Sequence, residues 1–178
     1  LGLPEVLLGI HPGFGGVMRL IRLIGPLKAI PLMLQGRTLD ATAARKMGIV
    51  DYVVPERHFL HSAAEVIRKR PKPRRASTMA ALPGKTPLRQ LTALYLRKQL
   101  KTRIRPEHYP APYALVDIWE QSGGDDKALL KAEIASVARL ANNLSSRNLV
   151  RVYLLQERLK SIGAGKDYTF TNVHVVGA

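Results

Sequence analysis

Apolar residues recur at helical spacing through most of the chain. In residues 17–24, for example, valine, leucine and isoleucine fall at positions i, i+3, i+4 and i+7, which is typical of one face of an amphipathic helix. Asp40 and Ser145 are good N-caps, because their side-chain oxygens can accept from free N–H groups of a first turn. Together with glycine and proline stops, the pattern predicts helices over 17–24, 26–36, 41–47, 56–69, 86–101, 112–121, 125–140 and 145–160.

Three other segments are predicted to be extended. Residues 5–10 are apolar, and residues 49–54 are rich in β-branched side chains. Residues 169–178 read as a buried strand of a parallel sheet that ends in a glycine. Between the first strand and the first helix, Pro12–Gly16 predicts a loop whose backbone can approach a ligand. We therefore predict an α/β protein that is mostly helical after residue 56.

Composition narrows the class of protein. The chain has 178 residues, of which 46% are hydrophobic and 23% are charged, and no apolar run approaches the ~20 residues of a membrane span. There is no cysteine, which excludes a disulfide framework, a thiolate metal site and a cysteine nucleophile. This composition fits a reducing compartment, so we expect a cytoplasmic protein. Because the chain begins at Leu1 without a leader pattern, we also expect it to be a piece of a longer polypeptide.

The net charge of +15 is concentrated in one part of the chain. Residues 68–105, the basic stretch, contain 13 Lys or Arg and no Asp or Glu, whereas the remainder has 15 basic and 13 acidic residues. Within this stretch, residues 70–85 carry several prolines and are predicted to be mobile. The basic stretch therefore needs an explanation separate from that of the rest of the protein.

One acidic residue stands out as a candidate for chemistry. Glu5 lies among apolar residues just before the glycine-rich loop, and a carboxyl group in an apolar pocket can hold or deliver a proton near neutral pH. The alternative is a solvated acid or a cap beside Pro4. The glycines do not match the dinucleotide fingerprint, because Met18 stands where a third glycine would be. The histidines have no metal-ligand spacing, and we expect no metal site.

A continuous run of residues carries a family resemblance. It reads Leu3-Pro-Glu-Val-Leu-Leu-Gly-Ile-His-Pro-Gly-Phe-Gly-Gly16, and it is followed by Ala43-Ala44 and Met47-Gly-Ile-Val-Asp51. The pattern of Pro-Glu, Leu-Gly and Pro-Gly-x-Gly-Gly, with a later Ala-x-x-x-Gly-Ile-Val, resembles the enoyl-CoA hydratase/isomerase (crotonase) family. The resemblance implies the C-terminal part of a crotonase (ββα spiral) fold.

A second resemblance extends over the rest of the chain. His108-Tyr-Pro-Ala-Pro-Tyr113, Arg147-Asn-Leu-Val150 and Phe170–Ala178 resemble multifunctional fatty-acid β-oxidation α subunits. In those proteins the hydratase domain passes through a linker helix into a 3-hydroxyacyl-CoA dehydrogenase. The implied division is 1–141 for the hydratase part, 142–168 for the linker helix and loop, and 169–178 for the first strand of a truncated Rossmann domain.

The resemblance implies the addition of water to the 2,3 double bond of an acyl-CoA thioester. Two glutamates and two backbone N–H donors carry this reaction in the family. Glu5 takes the position of the second glutamate, whereas the first glutamate and both donors would precede Leu1, so we expect the 178 residues alone to be inactive. Pro12, Gly13 and Phe14 are candidate substrate-binding residues, and His11 is either a substrate contact or a turn residue.

The same resemblance gives the cofactor and partner expectations. Gly177 matches the first glycine of an NAD-binding loop. The rest of that loop is not in the sequence, so we expect no cofactor on these residues and NAD on the dehydrogenase domain. The expected partners are an acyl-CoA thioester substrate and a thiolase subunit.

We consider three interpretations for the function of the basic stretch. It can be a solvated linker, or it can bind an anionic partner, either the phosphates of CoA or a membrane surface. Nucleic acid is not expected, because aromatic residues at stacking spacing and nucleic-acid motifs are both missing. The alternative for the whole chain is a non-catalytic basic helical module that binds anionic surfaces.

Overall fold

The computed structural model describes residues 1–162, and within them helices are the only regular secondary structure, joined by turns and irregular segments. The α-helices of this part are α1 (Gly16–Ile24), α2 (Pro26–Gln35), α3 (Ala41–Met47), α4 (Phe59–Lys69), α5 (Thr78–Ala81), α6 (Leu88–Lys101), α7 (Ala111–Ser122), α8 (Asp126–Ala141) and α9 (Leu144–Ile162). Short 3₁₀ helices occupy Pro4–Leu8, Glu56–His58 and Leu82–Gly84. No described helix is both long enough and apolar enough to cross a bilayer.

The hydrophobic core lies between α1, α2, α6 and α7. Its buried side chains are Val17, Leu20, Ile24, Ala29, Ile30, Leu32, Met33, Ala93, Leu96, Leu100, Leu115, Val116 and Trp119. The α1 residues are those that the helical spacing placed on one face. Gly25, with φ of 81°, turns the chain from α1 into α2, and its N–H donates to Ile21 O at 2.8 Å. This arrangement confirms the predicted break between the two helices.

The predicted ends of α3 are confirmed. Asp40 caps the helix by accepting from Ala43 N at 2.7 Å, and Gly48 ends it in the left-handed region with φ of 87°. The N-cap prediction for α9 is wrong by two residues. Asn143, not Ser145, accepts the first-turn N–H, because Asn143 Oδ1 lies 2.8 Å from Ser145 N. The helix accordingly begins at Leu144.

Both strand predictions that fall on described residues are wrong. Residues 5–10 fold into a 3₁₀ helix and a left-handed turn, in which Gly9 N donates to Val6 O at 3.0 Å. Residues 49–54 are irregular, because no described segment lies beside them as a pairing strand. The described residues contain only an isolated antiparallel bridge, between Gly2 and Thr38. The predicted strand at 169–178, with Gly177, lies outside the described residues.

The 70–85 segment consists of two parts. Residues 70–77 have no regular secondary structure, and all but Ala76 are exposed. Residues 78–84 instead form α5 and a 3₁₀ helix that pack on α1 and α2. Ala76 N donates to Arg22 O at 2.8 Å and fixes the approach to this packing.

Candidate active site

Glu5 lies in the 3₁₀ helix Pro4–Leu8 and is partly buried. Its Oε2 is buried and accepts no hydrogen bond from the described residues. A buried polar atom without a partner is rare in folded proteins, and each case needs an explanation. A carboxylate oxygen in this position is free to bind a proton or a substrate group, as a general acid or base requires.

Side chains from distant parts of the sequence fix the turn that carries Glu5. Tyr109 OH donates to Val6 O, and Ser146 Oγ, at the start of α9, donates to Leu8 O at 2.8 Å. Gly9 has φ of 75°, and a Cβ there would lie 2.8 Å from Ser146 Cα. Because neither the backbone conformation nor the space allows a side chain, glycine is required at this contact. The residue that follows Glu5 and the end of its helix are thus both held in place.

The glycine-rich loop is bound by a buried carboxylate. Glu133 of α8 accepts from Gly15 N at 2.7 Å and from Met18 N at 2.9 Å. These N–H groups belong to the start of α1, where the first turn of a helix leaves its donors unpaired and carries a partial positive charge. Burial raises the pKa of Glu133, and the bonds from the backbone oppose that shift. The sequence predicted that the loop backbone can approach a ligand. In the structure, the carboxylate of Glu133 already occupies the N–H group of Gly15 in this loop.

His11 is a structural residue of the same loop. It is wholly buried, and its Nδ1 lies 2.8 Å from Pro12 O. Because a carbonyl oxygen can only accept, Nδ1 carries the proton, and Nε2 of the neutral ring accepts from Ser136 Oγ at 2.8 Å. Burial lowers the pKa of His11, and the nearby charge of Arg139 lowers it further. These contacts favour the turn-residue interpretation of His11 over a substrate contact.

The three predicted substrate-binding residues have different surroundings. Pro12 is buried, and a Cβ at Gly13 would lie 3.0 Å from Val137 Cγ2, so both face the protein. Phe14 is 77% exposed and has the left-handed φ of 55°, which is uncommon for a non-glycine residue. Only the Phe14 side chain is presented to a ligand in solution. Glu5 and this loop share the support of the C-terminal helices, but no hydrogen bond joins Glu5 Oε2 to the loop.

Four residues that support the site were not predicted from the sequence: Tyr109, Glu133, Ser136 and Ser146. The sequence pattern does indicate that two of them, Glu133 and Ser136, are buried. Leu129, Glu133, Ser136 and Leu140 are the buried residues of α8, at helical spacing. Glu133 and Ser136 therefore stand in an apolar stripe, where a polar side chain needs a buried partner. Within residues 1–162 no three side chains of the metal-binding types cluster.

Comparison with known proteins identifies the family of the chain. The model of the enoyl-CoA hydratase/isomerase family matches residues 1–108. The chain belongs to this family, and the predicted resemblance is confirmed.

Within the family, the chain is similar to proteins named fatty acid oxidation complex subunit alpha. It is 36% identical to that of Shewanella amazonensis over 172 residues, which cover 93% of this chain and 24% of the relative. The Vibrio cholerae protein is 35% identical over 177 residues, with 92% and 24% coverage. The Shewanella loihica protein is 39% identical over 135 residues, with 74% and 19% coverage. The chain thus spans about a quarter or less of the length of these relatives.

Proposed function

We propose that this chain is part of an enzyme that hydrates 2-enoyl-CoA thioesters to 3-hydroxyacyl-CoA during fatty acid degradation. The observation that carries the proposal is Glu5, whose Oε2 is buried, accepts no hydrogen bond from residues 1–162 and lies on a turn fixed from two sides. The turn lies in the segment that matches the hydratase/isomerase family. A positioned carboxyl group with such an oxygen is suited to proton exchange with a bound substrate.

In the proposed reaction, water adds across the double bond of the thioester. The oxygen of water bonds to the β-carbon, and its proton passes to the family's first glutamate. The electron pair of the double bond moves toward the thioester oxygen, giving an enolate-like species. Glu5, which holds a proton before this step, then delivers it to the α-carbon, and in the reverse direction it removes that proton. Proton exchange with water afterwards returns both glutamates to their starting states. Such a step contributes roughly 10²–10⁴-fold to the rate. The first glutamate and the oxyanion donors are implied by the family pattern.

The wider assignments are proposals as well. The relatives are named as subunits of a fatty acid oxidation complex, which supports acyl-CoA as the substrate and a further subunit as a partner. We propose a thiolase subunit for that partner, on the family resemblance of the sequence. We further propose that the parent protein carries an NAD-dependent 3-hydroxyacyl-CoA dehydrogenase, with Gly177 at the start of its NAD-binding loop. The proposal for Gly177 rests on the sequence motif.

We propose an anionic partner for the basic stretch, whose side chains at residues 70–75 are exposed and therefore accessible to it. The candidates are the phosphates of the CoA substrate and an anionic membrane surface. Binding of either partner would accompany the proposed hydratase activity and would not replace it.

Substitution Glu5→Gln in the full-length protein tests the proposed function. The amide keeps the shape of the side chain but cannot exchange the proton, so we expect hydration of crotonyl-CoA to fall by about 10²–10⁴-fold. Oxidation of 3-hydroxyacyl-CoA by the same preparation should not change. Glu56→Gln, at an exposed glutamate that also lies in a 3₁₀ helix, is the matched control.

Unchanged hydration would place Glu5 outside the active site and would contradict the proposal. Equal loss of both activities in the Glu5 variant would indicate a folding defect, and the loss of hydration would then not count as support.

A further inference from the structure

One face of α8 is complementary to the glycine-rich loop at three points. Glu133 accepts from Gly15 N of the loop and from Met18 N in the first turn of α1, and Ser136 donates to His11. Val137 packs where a side chain on Gly13 would otherwise lie. These α8 residues are at i, i+3 and i+4, which places them side by side on one helix face. The loop is thus positioned by a helix more than 100 residues away in the sequence.

The loop needs this external support because its own conformation is unfavourable. Phe14 and Gly15 are consecutive left-handed residues, with φ of 55° and 90°. For a residue with a side chain, the left-handed conformation is disfavoured and persists only where the surroundings impose it. The loop's own bonds, from Gly16 N to Gly13 O at 3.0 Å and from the Arg19 guanidinium to Phe14 O at 2.8 Å, do not reach the body of the protein.

Burying the Glu133 carboxylate at this position has a desolvation cost. A buried carboxylate loses its hydration, and Glu133 forms no ion pair with a described residue to offset that loss. Its compensation comes from the backbone donors of the loop, with the Arg19 charge nearby. An apolar side chain would fill this core position at less cost. What a carboxylate adds is two directed bonds that fix where the loop lies.

We propose that Glu133 is a positioning residue of the hydratase, which holds the glycine-rich loop so that the exposed Phe14 ring forms part of the acyl-CoA binding surface. This inference rests on the proposed function. Glu133 acts through the loop and does not touch the substrate. Loss of the directed bonds lowers the fraction of molecules whose loop is competent to bind, and the apparent affinity falls by the same fraction.

Glu133→Gln in the full-length protein tests the role. The amide retains one accepting oxygen and so loses one of the two loop bonds. We expect the amide protons of Gly15 and Met18 to exchange at least tenfold faster, and KM for crotonyl-CoA to rise on the order of tenfold with a smaller change in kcat. Glu120→Gln is the matched control, because Glu120 ties α7 to Arg97 of α6 and lies outside the loop. It should change neither the exchange nor KM.

A double-mutant cycle tests whether Glu133 affects KM through Phe14. Phe14→Ala should raise KM by itself, and adding Glu133→Gln to it should raise KM no further, because both changes remove the same contact. Ser136→Ala is the milder second variant if Glu133→Gln does not fold, and it should raise KM in the same direction. An unchanged KM with unchanged exchange, an equal rise in the Glu120 variant, or additive effects with Phe14→Ala would overturn the proposal. Absence of hydration in the wild-type protein would instead refute the proposed function, and the exchange measurement would still test the contact.

Discussion

The glycine-rich loop and the 70–85 segment look alike in sequence and differ in the structure. Both are rich in glycine or proline and were predicted to lack regular structure. In the loop, backbone N–H groups donate to buried Glu133, and the ring of His11 bonds to Ser136. In residues 70–77 the side chains are exposed and the ion pair of Arg74 with Asp51, at 3.7 Å, lies on the surface. Composition alone does not reveal whether an irregular segment is fixed, because its partners can lie far away in the chain.

This difference has an energetic counterpart. Leaving a buried polar group unpaired costs about 1–3 kcal/mol, so each bond of the loop is expensive to break. Exposed ion pairs contribute about 0–1 kcal/mol. Substitutions should therefore be costly in the loop and nearly neutral at the exposed positions of residues 70–77.

A pair of glycine substitutions gives the largest expected contrast. Gly15 has φ of 90°, so Gly15→Ala should destabilise the protein by about 1–2 kcal/mol through backbone strain. Gly84 lies in the 70–85 segment outside the left-handed region, and the nearest atom to an added Cβ is 3.8 Å away. Gly84→Ala should change the free energy of unfolding by less than about 1 kcal/mol. Urea denaturation of both variants measures the contrast, and equal losses would contradict it.

The sequence predicts the parts of this fold that depend on neighbours in the chain. Asp40 and Gly48 mark the ends of α3 correctly, because a cap bonds to backbone within three or four residues. The segment 49–54 has strand-forming side chains, but a strand also needs a partner, and the described residues provide none. Helical spacing gave the buried face of α1 for the same local reason.

The residues of the candidate site also differ in whether local sequence features predict them. Glu5 was identified from its apolar neighbours and the family pattern, which are both local features. Glu133 looks like an ordinary helical glutamate, and its role depends on a loop 118 residues away. Its place in a buried stripe signals that a partner exists but does not identify the partner. Long-range hydrogen bonds are therefore what the sequence alone could not supply.

The pH dependence of stability tests the contribution of the buried groups that support the glycine-rich loop. The folded state lowers the pKa of His11 below its ordinary value of about 6.5, chiefly through burial, so the unfolded chain binds its proton first as the pH falls. The contribution of His11 is fully present above pH 6.5 and is lost as the pH falls through the folded-state pKa. Glu133 acts with the opposite sign, because its raised pKa favours the protonated folded state.

His11→Gln should remove the His11 component and leave that of Glu133. We expect the wild type to lose stability relative to this variant as the pH is lowered from 7 toward 5, as measured by urea denaturation at each pH. A stability difference that is independent of pH would show that His11 does not titrate in this way.

Neutralising the basic residues should have the smallest effect on stability. The six residues to change to glutamine are Arg68, Lys69, Arg70, Lys72, Arg74 and Arg75. Because their ion pairs with Glu65 and Asp51 are exposed, the free energy of unfolding should change by no more than about 1 kcal/mol. A larger loss would mean that the 70–85 segment is held as firmly as the loop.

Ligand binding by the same six-residue variant decides what the exposed charge does. Near an anionic membrane surface each cation contributes about 1 kcal/mol, so six of them should give a large effect at low salt. If they serve a membrane, binding to phosphatidylglycerol vesicles falls, and if they serve CoA phosphates, KM for acyl-CoA rises. Either difference should shrink as salt screens the charges. Neutralising Arg37, Arg45 and Lys46, which are exposed outside the basic stretch, is the control for net charge. Unchanged vesicle binding and unchanged KM at low salt would leave the solvated linker as the explanation, since a linker needs its charge only for contact with water.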